Sequence, residues 1–384
     1  MSTAPLAPGA TLGVFGGGQL GRMFAQAAAR LGYRVHVFAP ESDPPAAQAA
    51  SHHTRATYDD LDAVRAFARG VDAVTYEFEN VPETTMAAVA ESVPVRPGPA
   101  VLATARHRIR EKSFLRDHGI PVTPFLKVTA PAELPGAARN LGGPVVLKTT
   151  ELGYDGKGQM TYAPDDEPGA AWRALGDPAE LIVEQRIDLA GECSVLVARD
   201  TGGGTVYYGP FHNVHRRHIL DVTTWAAEDD SPVAQAARHI GQQTAEALEL
   251  TGLLCIECFI ARDGAVLVNE LAPRPHNSGH LTIEACSISQ FEQQARLTAG
   301  QRAVAPAPRA PAAAMANLLG DGWERGEPDW ESVLNDPAVT LHLYGKTEPR
   351  VGRKMGHLTA LADTPEAARD RVVAARRRWA RAST

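Results

Sequence analysis

Two short β-rich runs, 253–260 and 265–270, meet at Asp263-Gly264, and Asp-Gly between such runs is a strong signal for a two-residue hairpin. A chain that turns there must run its flanks antiparallel, so the turn alone sets which residues face each other. Glu257 and Glu270 then fall in direct register. A four-residue loop centred on the same dipeptide keeps that register, whereas a three-residue loop breaks it. Directly opposed side chains have Cβ atoms roughly 5 Å apart, and two carboxylates at that spacing repel unless a cation lies between them. Mg²⁺ removes the penalty. It prefers one or two carboxylates together with waters and substrate phosphates, so an acidic hairpin can carry a metal-bound nucleotide. Two exposed glutamates at strand ends would give the same pattern with no ligand.

Upstream, 144–148 reads as a buried strand ending in Lys148, followed by Gly153, Tyr154, Asp155, Gly156, Lys157, Gly158 and Gln159. Glycines there let backbone N–H groups approach phosphate oxygens as an anion nest, with Lys148 and Lys157 as point charges. An Asp-Gly-Lys-Gly hairpin turn is the bland alternative. Only six of the 38 basic residues are lysine, so arginine covers the ordinary surface and the retained lysines are enriched for positions needing a compact ammonium. Further on, 181–187 forms an apolar strand running into Glu184, Gln185, Arg186 and Ile187, with Glu192 just beyond. Carboxylates and carbonyls at such a strand end can hold an adenine amino group and ribose hydroxyls, although an ordinary strand looks the same.

Taken in order, lysine strand, glycine loop, Glu-bearing strand and acidic hairpin ending Asn269-Glu270 resemble the ATP-grasp enzymes. Further motifs narrow this: 12–23 around Gly16-Gly17-Gly18-Gln19, 74–82 around Glu77, 211–215 with Asn213 and His215, 269–280 with Arg274 and Ser278, and 352–357 with Arg353. With them the chain resembles the 5-(carboxyamino)imidazole ribonucleotide synthetase family from about residue 11 to about residue 362. The resemblance implies an ATP-grasp fold, α/β in its first part and α+β overall, with a Rossmann-like N-terminal domain and a small C-terminal one.

It also implies roles. Arg108, Lys148, Gly153, Tyr154, Asp155, Gly156, Lys157, Gly158, Gln159, Glu184, Gln185, Arg186, Ile187, Glu192, His215, Asn269 and Glu270 would contact ATP, and Glu257 and Glu270 two magnesium ions. Gln19, Glu77, Tyr154, Arg274, Ser278, Lys346 and Arg353 would hold aminoimidazole ribonucleotide. Asp155, Arg274 and Lys346 would orient bicarbonate and the amine. Carboxyphosphate is the implied intermediate, and a homodimer passing product to the mutase of the same pathway the implied partnership. His276 and His280 stay outside the catalytic set, since core or helix-cap positions suit them equally. The family usually has arginines just after the strand lysine, where this chain has Thr149-Thr150-Glu151, and Asp-Gly where it has Arg217-His218.

Two rivals share the fold: a formate-dependent glycinamide ribonucleotide ligase and a non-catalytic nucleotide sensor. A third begins at the N-terminus, where strands near 12–15, 35–38, 71–76 and 94–96 alternate with helices as in a doubly wound parallel sheet. Gly16, Gly18 and Gly21 satisfy the dinucleotide fingerprint. The second strand, however, ends in Ala39-Pro40 where a ribose-binding acid should stand, so hydride transfer ranks low.

A chain of 384 residues exceeds one ordinary core, and the expected division is 1–103, 104–300 and 301–384, with the Pro/Ala segment 301–311 as the last boundary. Ser231-Pro232 should open a helix that runs to about Leu250 and is ended by Gly252. The net charge of −7 offers no general attraction to nucleic acid or anionic membrane. Residues 1–9 do not read as a signal sequence and no run reaches the ~18 apolar residues of a membrane span, so a cytoplasmic location is expected. Four cysteines, at 193, 255, 258 and 286, are too few for a disulfide framework, and Cys255 and Cys258 should face opposite sides of one strand; zinc and redox roles are rejected on that ground.

Overall fold

The computed structural model describes residues 4–151, 153, 156–324 and 326–380. Tyr154 and Asp155, both expected in the site, lie outside the described residues. Strands β1 (Thr11–Phe15), β2 (Arg34–Phe38), β3 (His52–Thr54) and β4 (Ala73–Tyr76) pair in parallel in the order β3-β2-β1-β4. Their apolar runs are buried on both faces, Leu12 and Val14 against Phe24 on one side and Phe15 and Val74 against Phe67 on the other. The strand expected at 94–96 shrinks to one bridge, Val74 to Val95, because Pro94 and Pro97 have no N–H to extend a ladder. Strand β3 was not foreseen: His-His-Thr carries no apolar signal and pairs only at the sheet edge.

A second, antiparallel sheet is built from β5 (Phe125–Val128), β6 (Val145–Thr149), β7 (Gln159–Tyr162) and β8 (Leu181–Gln185), in the order β5-β8-β6-β7. Its covered face packs Leu147, Tyr162 and Val183 against Trp172 and Leu134. The third sheet holds β9 (Leu189–Arg199), β10 (Thr205–Arg216), β11 (Ile219–Ala226), β12 (Gly252–Ala261), β13 (Val266–Ala272), β14 (Ala312–Leu319), β15 (Thr340–Leu343) and β16 (Lys354–Ala362), ordered β13-β12-β9-β10-β11-β14-β16-β15. The segment after Gly300 therefore does not make a sheet of its own. It has its own apolar cluster, Leu358, Val372 and Trp379 among others, but β14 pairs with β11 and removes what would be an open edge. No helix among the described residues is long and apolar enough to cross a membrane.

Ser231 caps the helix Pro232–Ala247 by accepting from the Ala234 N–H. The helix stops short of Leu250: Glu249 turns left-handed at φ 48°, and Gly252 opens β12 instead of ending the helix. At φ +135° with Pro97 only 2.8 Å from any added Cβ, Gly252 is a position no other residue fits. Cys255 and Cys258 do lie in different clusters on the two faces of β12.

The acidic hairpin keeps its register by a different route from the one expected. Ala261 N donates to Ala265 O and Gly264 N to Ala261 O, so the loop is the three-residue one, Arg262-Asp263-Gly264, with Gly264 at φ +89°. Pairing from Ile260–Val266 to Cys258–Val268 is accordingly one residue out, and a bulge restores it: Glu257 faces Glu270, with Asn269 as the extra residue. The bulge also switches which residues point into the core, from Val266 and Val268 to Leu271. Because the register is reset at Asn269, far from the turn, Gly264→Ala should cost about 1 kcal/mol through its left-handed backbone alone. Urea denaturation should show that loss while kcat stays at the parent value.

Candidate active site

Val146 faces Glu184 across β6 and β8, which makes Lys148 and Glu184 diagonal neighbours on one face. Their side chains meet at 2.8 Å, with Lys148 7% and Glu184 2% exposed. A second ammonium, Lys112 on the helix Arg108–Asp117, stands 3.4 Å from the other Glu184 oxygen but out of line for a hydrogen bond. Burial would raise the Glu184 carboxyl, yet the Lys112 and Lys148 charges outweigh it and hold it below the usual carboxylate range. Lys112 Nζ also donates to Val268 O at 3.4 Å, and Lys148 Nζ to Asn269 Oδ1 at 3.2 Å. The smaller sheet is thus joined to the large one across the cleft between them.

The bulge turns Asn269 and Glu270 toward that cleft. Arg108 Nη1 donates to Glu270 Oε2 at 2.7 Å and its Nη2 to Gly153 O at 3.3 Å. Burial acts to raise Glu270, but Arg108 and Lys148 prevail and bring it down to about 2. Glu257 Oε1 lies 3.1 Å from His276 Nε2. The two opposed carboxylates are each met by a cationic or proton-bearing side chain, and two carboxylates beside an open cleft are a donor set that suits Mg²⁺ shared with phosphates. Among the described residues there is no group of three or more His, Cys, Asp or Glu that could hold a metal by itself.

The glycine loop joins β6 to β7. Gly156 and Gly158 take φ +80° and +70°, and Thr149 N donates to Gly158 O at 2.8 Å; exposed Lys157 lies between them. Glu184 and Gln185 end β8, and Arg186 and Ile187 lie in the short link to β9. Nearby, His215 Nδ1 is 2.9 Å from Glu192 Oε2 as an ion pair. Burial lowers the His215 imidazole, but the Glu192 carboxylate more than compensates and raises it.

At the other end of the cleft, Gly18 N and Gly21 N both donate to the Glu77 carboxylate. The anion site at this helix start is filled by the chain's own side chain, and a Cβ on Gly16 would sit 2.2 Å from Glu77 Cγ. A dinucleotide pyrophosphate has no room there, which disposes of the hydride-transfer reading. Glu77 therefore shapes the turn rather than facing outward. Lys346 Nζ donates to Gln19 Oε1 at 2.5 Å and to Lys354 O at 2.7 Å, while Arg274 Nε donates to Glu79 Oε2 at 2.6 Å. Lys346 and Arg274 are both near enough to act on the charge of Glu77, so Gln19, Glu77, Arg274 and Lys346 converge from distant segments. Ser278 is fully buried, with its hydroxyl turned to Ser194 at 2.7 Å and His276 Nδ1 at 2.8 Å. Arg353 donates to Glu348 O at 2.8 Å on the outer turn.

Several site residues escaped the sequence reading. Lys112 is one, although its being one of six lysines pointed to it. Glu111, which accepts from Leu271 N at 2.9 Å, is another; burial pushes its carboxyl up to about 8. Glu79 and His276 are the partners of Arg274 and Glu257, relations that no spacing encodes. The departures from the family pattern also land here. Glu151 pairs with Arg106 at 3.2 Å, and Arg217 and His218 form the β10–β11 turn.

Three family models match in succession: the ribonucleotide synthetase preATP-grasp domain over 9–106, the ATP-grasp domain over 113–291, and the phosphoribosylaminoimidazole carboxylase C-terminal domain over 313–371. The chain is 42% identical to the N5-carboxyaminoimidazole ribonucleotide synthase of Brucella melitensis over 94% of its own length and 99% of that relative. Against the Bacillus subtilis N5-carboxyaminoimidazole ribonucleotide synthase it is 37% identical, covering 94% and 93%. Among solved structures, an N5-carboxyaminoimidazole ribonucleotide synthetase in complex with ADP superposes with a TM-score of 0.90 at 36% identity, covering 97% and 98% of the two chains. The Aspergillus clavatus N5-carboxyaminoimidazole synthase with ADP and 5-aminoimidazole ribonucleotide gives 0.84 at 29% identity, covering 97% and 99%.

Glu184→Gln would leave two buried ammoniums facing a neutral amide and should cost about 3 kcal/mol. The Glu184 carboxyl is lowered in the folded state, so its contribution is present above the pKa of an unfolded glutamate, ~4.3, and is lost as pH falls through the lower folded value. Denaturant melts between pH 7 and pH 3 should show the variant with a shallower acid decline than the parent.

Proposed function

The chain belongs to the N5-carboxyaminoimidazole ribonucleotide synthase family, and from that premise we propose how its own residues make the product. The enzyme is an ATP-grasp ligase that forms N5-carboxyaminoimidazole ribonucleotide from 5-aminoimidazole ribonucleotide at the expense of ATP. The observation that carries our reading is the direct pairing of Glu257 with Glu270 opposite Lys148.

In this reading ATP lies in the cleft between the small and large sheets. Glu184, Gln185, Arg186 and Ile187 line its base end with Glu192 and His215, and the loop from Gly153 to Gln159 covers its phosphates. Lys148, Lys157, Arg108 and Asn269 bear on those phosphates. Glu257 and Glu270 would hold two magnesium ions, which when bound neutralise charge on the transferring phosphoryl group. Bicarbonate oxygen attacks the γ-phosphorus, the bond to the ADP oxygen breaks, and carboxyphosphate forms. The exocyclic amine of the ribonucleotide then attacks the carboxyl carbon, or CO₂ released from it, expelling phosphate and giving up a proton. Arg274, Lys346 and Asp155 would orient the carboxyl donor and amine; Gln19, Tyr154 and Arg353 would hold the ribonucleotide, with Glu77 and Ser278 fixing the turn and the His276 ring behind them. Loop closure protects carboxyphosphate from water.

We assign the working units 1–103, 104–300 and 301–384 to amine binding, ATP binding and ribonucleotide phosphate. A cytoplasmic homodimer that delivers its product to the next enzyme of purine synthesis is the cellular setting we propose.

ADP release should require both aminoimidazole ribonucleotide and bicarbonate, should disappear with EDTA and return with Mg²⁺. Formate with glycinamide ribonucleotide should not support it, and turnover with that pair alone would reassign the substrate. Glu270→Gln should lower kcat by about 10² or more.

A further inference from the structure

The hairpin joining β10 to β11 turns through two residues, since Arg216 pairs with Ile219. Both central residues are left-handed, Arg217 at φ 51° and His218 at φ 64°. Such a turn ordinarily takes glycine or asparagine, and side chains larger than these are disfavoured there. Strain of this kind persists where the surroundings hold it. What surrounds His218 is the glycine loop: a Cβ on Gly156 would lie 2.5 Å from His218 Cβ and 2.7 Å from its Cγ, and Gln159 Nε2 is 3.5 Å from His218 Nδ1. The hairpin belongs to the large sheet and the loop to the small one. The contact therefore bridges the two sheets, as Lys148 to Asn269 does.

We propose that His218 is a positioning residue for phosphoryl transfer, holding residues 156–159 of the glycine loop against the β10–β11 hairpin so that the ATP phosphates are fixed and water is kept from the carboxyphosphate they generate. This rests on the ATP-driven carboxylation above. The imidazole touches no reacting atom. It fills the space that Gly156 leaves by lacking a side chain, and so bears on the loop backbone at 156–159 that the carboxylation reading places against the phosphates. A loop held in this way gives tighter nucleotide and fewer abortive hydrolyses for each turnover.

The decisive variant is His218→Gly, which removes the imidazole while relieving the left-handed backbone, so that misfolding and loss of positioning move in opposite directions. We expect its thermal midpoint to equal or exceed that of the parent. KM for ATP should rise by about fivefold, and carboxylated product formed per ADP released should fall by about twofold or more. His218→Asn, which tolerates the left-handed backbone and keeps a polar group toward Gln159, should recover part of both. KM for ATP and product per ADP in His218→Gly both matching the parent would overturn the assignment. Parent enzyme that releases no bicarbonate-dependent ADP would instead refute the carboxylation reading, so the two failures are distinguishable.

Discussion

A single buried carboxylate, Glu184, ties together the cleft between the small and large sheets. It sits at the end of β8 with Lys148 on one oxygen and Lys112 near the other, and those ammoniums reach on to Asn269 and to the Val268 carbonyl of β13. Two sheets that share no strand ladder are tied by these three charges and by the bridge between Val122 and Val268. Removing charge from water is unfavourable unless each member keeps its partner, so the arrangement is all or nothing. It leaves Lys148 close enough to act on Glu270, one of the two opposed carboxylates.

The opposite end of the cleft is assembled by long-range contacts of the same kind. Glu77 closes the glycine turn of the first sheet, and Gln19 beyond it meets Lys346 from a segment 327 positions away in the chain. Arg274 comes from the strand-end after β13 and pairs with Glu79. This end of the cleft is therefore an interface among three segments, and the C-terminal strands, by extending the large sheet, bring Lys346 to the N-terminal turn.

Much of the fold could be read directly. The apolar runs of β1, β2 and β6 and the Ser231 cap are local features with local causes, and all lie where expected. Strand β3 and the joining of β14 to β11 were not legible, since both depend on which sheet edge stands open. The hairpin illustrates the difference most sharply. Glu257 and Glu270 do face each other, yet the turn has the loop length that should have separated them, and the Asn269 bulge brings them back. A bulge has no fixed sequence signature, because it is an adjustment between the twist of a ladder and the packing of its two faces.

What the sequence by itself determined was the order of parts and their chemistry: which segments are strands, which residues are the scarce lysines and paired acids, and hence which superfamily of catalysts the chain belongs with. Those properties arise from side-chain type and spacing along a few turns of backbone. Only the tertiary structure decided that Lys112, Glu79 and His276 join the site, that Ser278 turns inward, and that His218 rests on Gly156. Each of these is a contact between segments separated by tens to hundreds of positions, fixed by the mutual approach of three sheets.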